Sequence, residues 1–158
     1  MHKRAQEFKR ESENRYGFSP EIKEFDAGTK SAADAADVIG CDVAQIASSI
    51  VLIADGDPVV VIASGANHID TARVGDVINA KNVRMAEPEE VKNATGWSIG
   101  GVPPLCHSNE LPMLFDETLM EYNTVWAAAG TPQTVFPIQP SKLQEFTDAT
   151  ITSVAQDS

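Results

Sequence analysis

Twenty residues near the middle of the chain, IASSIVLIADGDPVVVIASG (Ile46–Gly65), constrain the fold more than any other stretch. Two runs rich in Val and Ile, Ile46–Asp55 and Pro58–Gly65, flank a short Asp-Gly-Asp turn. An Asp-Gly step between two such runs is a hairpin signal, because both residues tolerate the positive φ that tight turns demand. Both runs are nearly continuous in apolar residues rather than alternating, so each strand is expected to be buried on two faces.

The flanking segments alternate between helix and strand signals. Residues 2–16 read as a charged helix with a weak apolar face. PEIKEFD (Pro20–Asp26) reads as a strand. Thr29 or Ser31 can cap a helix over Ala32–Ile39 that Gly40 ends. Asp70–Ala80 reads as a helix and Val83–Ala86 as a short strand. EPEEVKNATG follows as a helix with Pro88 in its first turn and Gly96 past its end. LPMLFDE (Leu111–Glu117), TVWAAAG (Thr124–Gly130) and TVFPIQ (Thr134–Gln139) read as strands, with one or two helical turns over ETLMEY. Pro140 and a Ser141 cap open a last helix, and ITSVA adds a last strand. With 158 residues, no repeat and no internal linker, the chain is expected to form one α+β domain spanning residues 1–158.

Composition narrows the function. No run of 18 apolar residues exists, and the charged N-terminus lacks the apolar core of a signal peptide. Two cysteines make no disulfide framework, so a cytoplasmic protein with no membrane partner is expected. The net charge is −11 and is unevenly spread. Residues 1–30 hold seven basic and six acidic residues, the remainder five basic and 17 acidic. Such a body repels polyanions unless contact is confined to a small area or salt is high, and an acidic, lysine-poor surface suits a salt-adapted protein. Lys3, Arg4, Lys9, Arg10 and Arg15 form the one cationic cluster: either a face toward phosphate, or a solvated helix laced by Glu7–Lys3 and Glu11–Arg15 pairs.

Conventional catalytic chemistry is sparse. There is no dinucleotide fingerprint, no phosphate-binding Walker loop and no paired metal-ligand motif, so no cofactor and no metal are expected. Cys106 and His107 are adjacent, which points them apart on extended backbone. Cys106 with His68 or His107 could form a thiol–imidazole pair, but a packed small hydrophobe is the simpler reading of both Cys106 and Cys41. His68 is read as a helix cap or ligand contact. Ser48 and Ser49 point to opposite faces, so one at most can face a given cavity. Trp97 and Trp126 are read as core or pocket lining and Phe115 as core. Asp116 could face a cleft at a strand end, and the acids Asp34, Asp37, Glu87, Glu89 and Glu90 as helix solvation. The unusual stretch is TGWSIGGVPPLCH (Thr95–His107). Within it two glycines and two prolines fall in five residues, Gly100–Pro104; they hold the loop in one shape and leave its amides accessible, which suits a site that works through backbone N–H groups.

Taken in order, AADAADVIG, QIASSIVLIADGDPVVVIASGANHID, AEPEEVKNATGWSIGGVPP, LPMLFDE and VWAAAGTP resemble the YbaK/EbsC family, over residues 20–155. Its members are aminoacyl-tRNA deacylases related to the editing domain of bacterial prolyl-tRNA synthetases. The resemblance implies a barrel-like mixed sheet flanked by helices. It also implies a trans-editing hydrolase that removes a small amino acid (Cys, Ala or Ser) from the acceptor end of mischarged tRNA, with tRNA for proline expected. The family's G-x-x-x-P loop falls on Gly100–Pro104. Its amides hold the aminoacyl ester, and the substrate's 2′-hydroxyl helps the attacking water, so Gly100, Gly101, Val102 and Pro104 carry the implied catalysis. Thr95, Pro103, His107 and Gly130 are implied to bind substrate, with Ser48 at the position where the family has a lysine. Pro103 replaces a common serine and removes one N–H donor. Cys106 stands where many relatives have Gly. The loss of the lysine motivates an alternative, a non-catalytic aminoacyl- or nucleotide-binding module; a hydrolase of another small ester is a third reading.

Overall fold

The computed structural model describes residues 2–25 and 31–156. The predicted hairpin is its centre: β2 (Ile46–Ala54) and β3 (Asp57–Ser64) pair antiparallel along their length, Ala47 opposite Ser64 and Ala54 opposite Asp57. Asp55 (φ 48°) and Gly56 (φ 89°) make the turn. The Asp55 carboxylate also accepts from the amides of Lys81 and Asn82, tying the turn to the chain leading into β4 (Val83–Met85).

Burial on both faces follows as expected. Val60 and Ile62 of β3 join Ala47 and Val51 of β2 in one apolar cluster, which extends to Phe8, Trp97, Phe115 and Phe136. Val59, Val61 and Ala63 join Leu52 in a second cluster on the opposite face, under Val74. Ile62 is fully buried, and truncating such a side chain to Ala costs about 2–5 kcal/mol.

Around the hairpin lie β5 (Met113–Asp116), parallel to β3, then β8 (Thr150–Thr152), parallel to β5. On the other side β6 (Val125–Ala128) runs parallel to β2, followed by β7 (Thr134–Ile138) and β1 (Lys23–Glu24). The order is β1-β7-β6-β2-β3-β5-β8, with β4 also paired to β2. The sheet is mixed, as expected, but it is not closed into a barrel: β1 and β8 end the path and do not pair with each other. Strand β1 is only two residues long, shorter than the Pro20–Asp26 run; Asp26 itself, like the Thr29 cap candidate, lies outside the described residues.

The helices are α1 (Lys3–Tyr16), α2 (Ala32–Ile39), α3 (Thr71–Ile78), α4 (Pro88–Thr95) and α5 (Pro140–Thr147). Ser31 caps α2 and Gly40 ends it in the left-handed region. Asp70, not His68, caps α3; His68 is exposed and offers its carbonyl to Gln156. Gln139 occupies the cap position of α5 with Pro140 first in the helix, so Ser141 lies inside it and does not cap. Asp116 is buried and accepts from the amides of Ser64 and Thr118 and from Asn67 Nδ2, so it ties β3 to β5 instead of facing a cleft.

Candidate active site

Strand β2 has an interruption on one side. It pairs with β6 at Ile46–Ala47 and with β4 at Leu52–Ala54, and between them residues 48–51 have no ladder partner on that side among the described residues. A cleft of about 330 Å³ opens against this gap. The Gly100–Val102 turn and the Thr131–Pro132 turn, with β2 itself, line it on one part, and α2 with Trp126 on another. Both Ser48 and Ser49 line it: at a sheet gap both faces of one strand reach the same space, which alternation alone did not reveal. Among the described residues lining the cleft none is charged. Ser49 Oγ is buried with no hydrogen-bond partner.

The glycine-proline loop is built as backbone surface. Gly100 is at φ 90°, a left-handed conformation that L side chains rarely adopt. The Gly101 amide donates to the Ser98 carbonyl at 3.1 Å. Pro103 and Pro104 carry no N–H. Among the described residues no acceptor bonds the amides of Ile99, Gly100 or Val102, and all three residues line the cleft. Gly101 faces away from it and packs on the Thr131 backbone; Pro103 and Pro104 are buried behind the turn.

The remaining implied binding residues stand behind this surface and hold it in place. Thr95 is buried; its hydroxyl bonds the Val91 carbonyl and accepts from the Trp97 amide. Gly130 packs against the Trp97 ring and the Arg4 carbonyl. His107 is 7% exposed, and its Nε2 lies 2.7 Å from the Pro103 carbonyl. A carbonyl only accepts, so Nε2 carries the proton. Burial, aided by Arg15 and opposed by that hydrogen bond, holds the imidazole below its ordinary pKa. The ring is a clip across the loop. Cys106 is buried, and burial pushes its thiol up to about 12, which suits a packed small hydrophobe. Cys106 also adopts φ 67°, a conformation that glycine takes more readily than a residue with a side chain.

Helix α1 braces the loop, a role its charge pattern did not disclose. Arg4 stacks 4.0 Å from the Trp97 ring centre, donates to the Gly96 carbonyl, and pairs with Glu7. Arg15 donates to the His107 carbonyl at 3.1 Å and pairs with Glu11. Trp97 Nε1 donates to the Cys106 carbonyl, joining the two ends of the loop. Glu7 therefore pairs with Arg4 where spacing alone suggested Lys3. Two of the five basic residues of the cluster are structural.

Sequence and structure together place the chain in a known class. It belongs to the aminoacyl-tRNA editing domain family, whose model matches residues 26–146. An uncharacterised Bacillus subtilis (strain 168) protein, YwhH, is 31% identical over 127 residues, 80% of each chain. The proline–tRNA ligase of Acidithiobacillus ferrooxidans (strain ATCC 53993 / BNL-5-31) is 32% identical over 89 residues, which is 56% of this chain and 16% of the ligase. The Lactobacillus johnsonii ligase is 31% identical over 120 residues, 72% of this chain and 21% of the ligase. The chain thus matches only about a fifth of those ligases' length. The crystal structure of a candidate trans-editing enzyme for prolyl tRNA synthetase superposes with a TM-score of 0.93, at 33% identity and 99% coverage of both chains.

Proposed function

We propose that this protein is a trans-acting deacylase that hydrolyses a small amino acid, such as Ala, Cys or Ser, from the acceptor end of mischarged tRNA, with tRNA for proline the expected carrier. The observation that carries the reading is the cleft itself: a gap beside β2 lined by Gly100 and Val102 and, among the described residues, by no charged side chain. Preorganised amides stabilise negative charge on an acyl oxygen without reorganising, and such donors are worth about 3–4 kcal/mol each in hydrolases that use them.

The reaction then needs little side-chain chemistry. Water adds to the acyl carbon, and the carbonyl oxygen takes up charge against the loop amides. Collapse breaks the bond between the acyl carbon and the ribose 3′-oxygen, which leaves with a proton. Among the described lining residues none is a carboxylate, imidazole or amine. The substrate's own 2′-hydroxyl is the group at hand to orient the water and relay the proton. Contact with the lining residues is what would sort side chains by size, and a methylene more or less discriminates only about 10–200-fold.

A second reading has its own observation. Ser48 supplies no cation where the family has lysine, which fits a module that binds an aminoacyl or nucleotide end without turning it over. Deacylation of tRNA for proline charged with Ala, Cys, Ser or Pro, in dilute buffer and in molar KCl, separates the two. Hydrolysis of a small ester with Pro spared supports the deacylase. Binding of every charged tRNA with hydrolysis of none supports the module.

A further inference from the structure

The interruption in β2 leaves one residue's backbone facing the cleft. In an antiparallel strand the N–H and C=O of a residue point the same way, and successive residues point to opposite sides. The Ile46 carbonyl accepts from Gly65, so it points toward β3. The Val51 carbonyl accepts from the Ala86 amide, so it points the other way, toward β4. Ala47, Ser49 and Val51 therefore share the β6/β4 side. Ala47 is held in the ladder with β6 and Val51 by Ala86. Among the described residues Ser49, which lies between them, has no ladder partner there, and its buried hydroxyl has no hydrogen-bond partner.

We infer that this open edge recognises the α-amino group of the ligand. The aminoacyl residue takes the place of the missing strand for one step. Its α-ammonium donates to the Ser49 carbonyl, and its acyl carbonyl accepts from the Ser49 amide. The acyl oxygen has a second lone pair for a loop amide at Gly100 or Val102, so both halves of the site meet on one atom. A charge-assisted bond to a carbonyl suits a cleft in which no described lining residue is a carboxylate. The ligand class is thus an α-amino acid with a free amine on a ribose, and acyl groups without that amine are poor ligands. This rests on the aminoacyl reading of the cleft but not on turnover.

The test uses two stable amide-linked analogues and the full chain. One is 3′-(L-alanylamino)-3′-deoxyadenosine. The other is its isobutyryl counterpart, in which a methyl replaces the ammonium at nearly equal volume. The alanyl compound is expected to bind at least tenfold tighter and to shift the Ser49 amide resonance. Ser49→Ala, which keeps the backbone, should retain that preference. Equal affinities overturn the inference, as does an unmoved Ser49 amide while Gly100 and Val102 shift. Failure of both analogues to bind a chain that still deacylates alanyl-tRNA also overturns it and leaves the deacylase standing. Selective binding by a chain that deacylates nothing supports amine recognition and removes the deacylase instead.

Discussion

A Cβ placed on Gly101 would stand 2.6 Å from the Cα of Thr131, well inside van der Waals contact. The two turns that line the cleft therefore meet backbone to backbone, and neighbouring Gly100 rests 3.6 Å from the Pro132 ring by the same measure. Both partners of this contact are main chain, so neither can rotate away. Gly101→Ala should push the turns apart, at the cost of about 1–3 kcal/mol typical of overpacking. Because both turns line the cleft, ligand affinity should fall as well, by more than the population of unfolded chain explains. Thermal unfolding alongside analogue binding measures both; a variant with normal stability and normal binding contradicts the contact.

The clip from His107 to Pro103 gives the loop a pH dependence of known sign. Its folded pKa lies below the ordinary value of about 6.5, so between the two the unfolded chain binds the extra proton. The stability His107 contributes is fully present above about pH 6.5 and is lost as pH falls through the folded value. His107→Gln keeps an N–H donor but does not titrate. Urea unfolding from pH 5 to 8 should show the wild type losing its margin over the variant below pH 6.5, with a slope of at most about 1.4 kcal/mol per pH unit. Parallel curves would remove the clip.

Ser48 lines the cleft in surroundings with no described charge, and the resemblance to the family implies a lysine at this position in relatives. Ser48→Lys should tighten tRNA binding in dilute buffer and steepen its salt dependence by about one counterion. Deacylation should rise with it. An unchanged salt slope would show that position 48 does not meet phosphate.

Arg4 and Arg15 are committed to the loop, which leaves Lys3, Lys9 and Arg10 of α1 for a polyanion. On the proposed function, Lys9→Glu with Arg10→Glu should weaken tRNA binding and flatten its salt dependence while leaving the melting temperature nearly unchanged. Arg4→Ala should do the reverse, lowering stability through Trp97 and Gly96. Normal tRNA affinity in the double variant assigns α1 a bracing role alone.

Local chemistry made much of the fold legible. Asp55-Gly56 specified the hairpin, Ser31 and Gly40 bounded α2, and Pro88 and Gly96 bounded α4, because each acts through its own dihedrals or its nearest amides. The site was legible in its parts only. GGVPP advertised a backbone surface, but not that Gly101 spends its amide on Ser98. What stayed hidden depends on distant partners. The gap beside Ser49 exists because β6 and β4 take different ends of β2, and no property of Ser48-Ser49 reports that register. Arg4 and Arg15 look like any solvated helix arginine until Gly96 and His107 are brought beneath them. Thr131 and Pro132 line the cleft while the glycine before them packs on Trp97, a distant contact that local sequence does not report. The mixed sheet that the resemblance implied is present, but its open ends were not legible for the same reason: closure depends on whether β1 and β8 meet.

On the proposed function, loop backbone and not a side chain carries the chemistry. Gly100→Ala tests it most directly, because the added methyl has room beside Pro132 yet must adopt φ 90°. Single-turnover deacylation of alanyl-, cysteinyl- and seryl-tRNA for proline by wild type and variant is the measurement. At least a tenfold loss in the variant, with its melting temperature within a few degrees of wild type, is the result expected. Equal rates would show that the Gly100–Pro104 loop is not the catalytic surface.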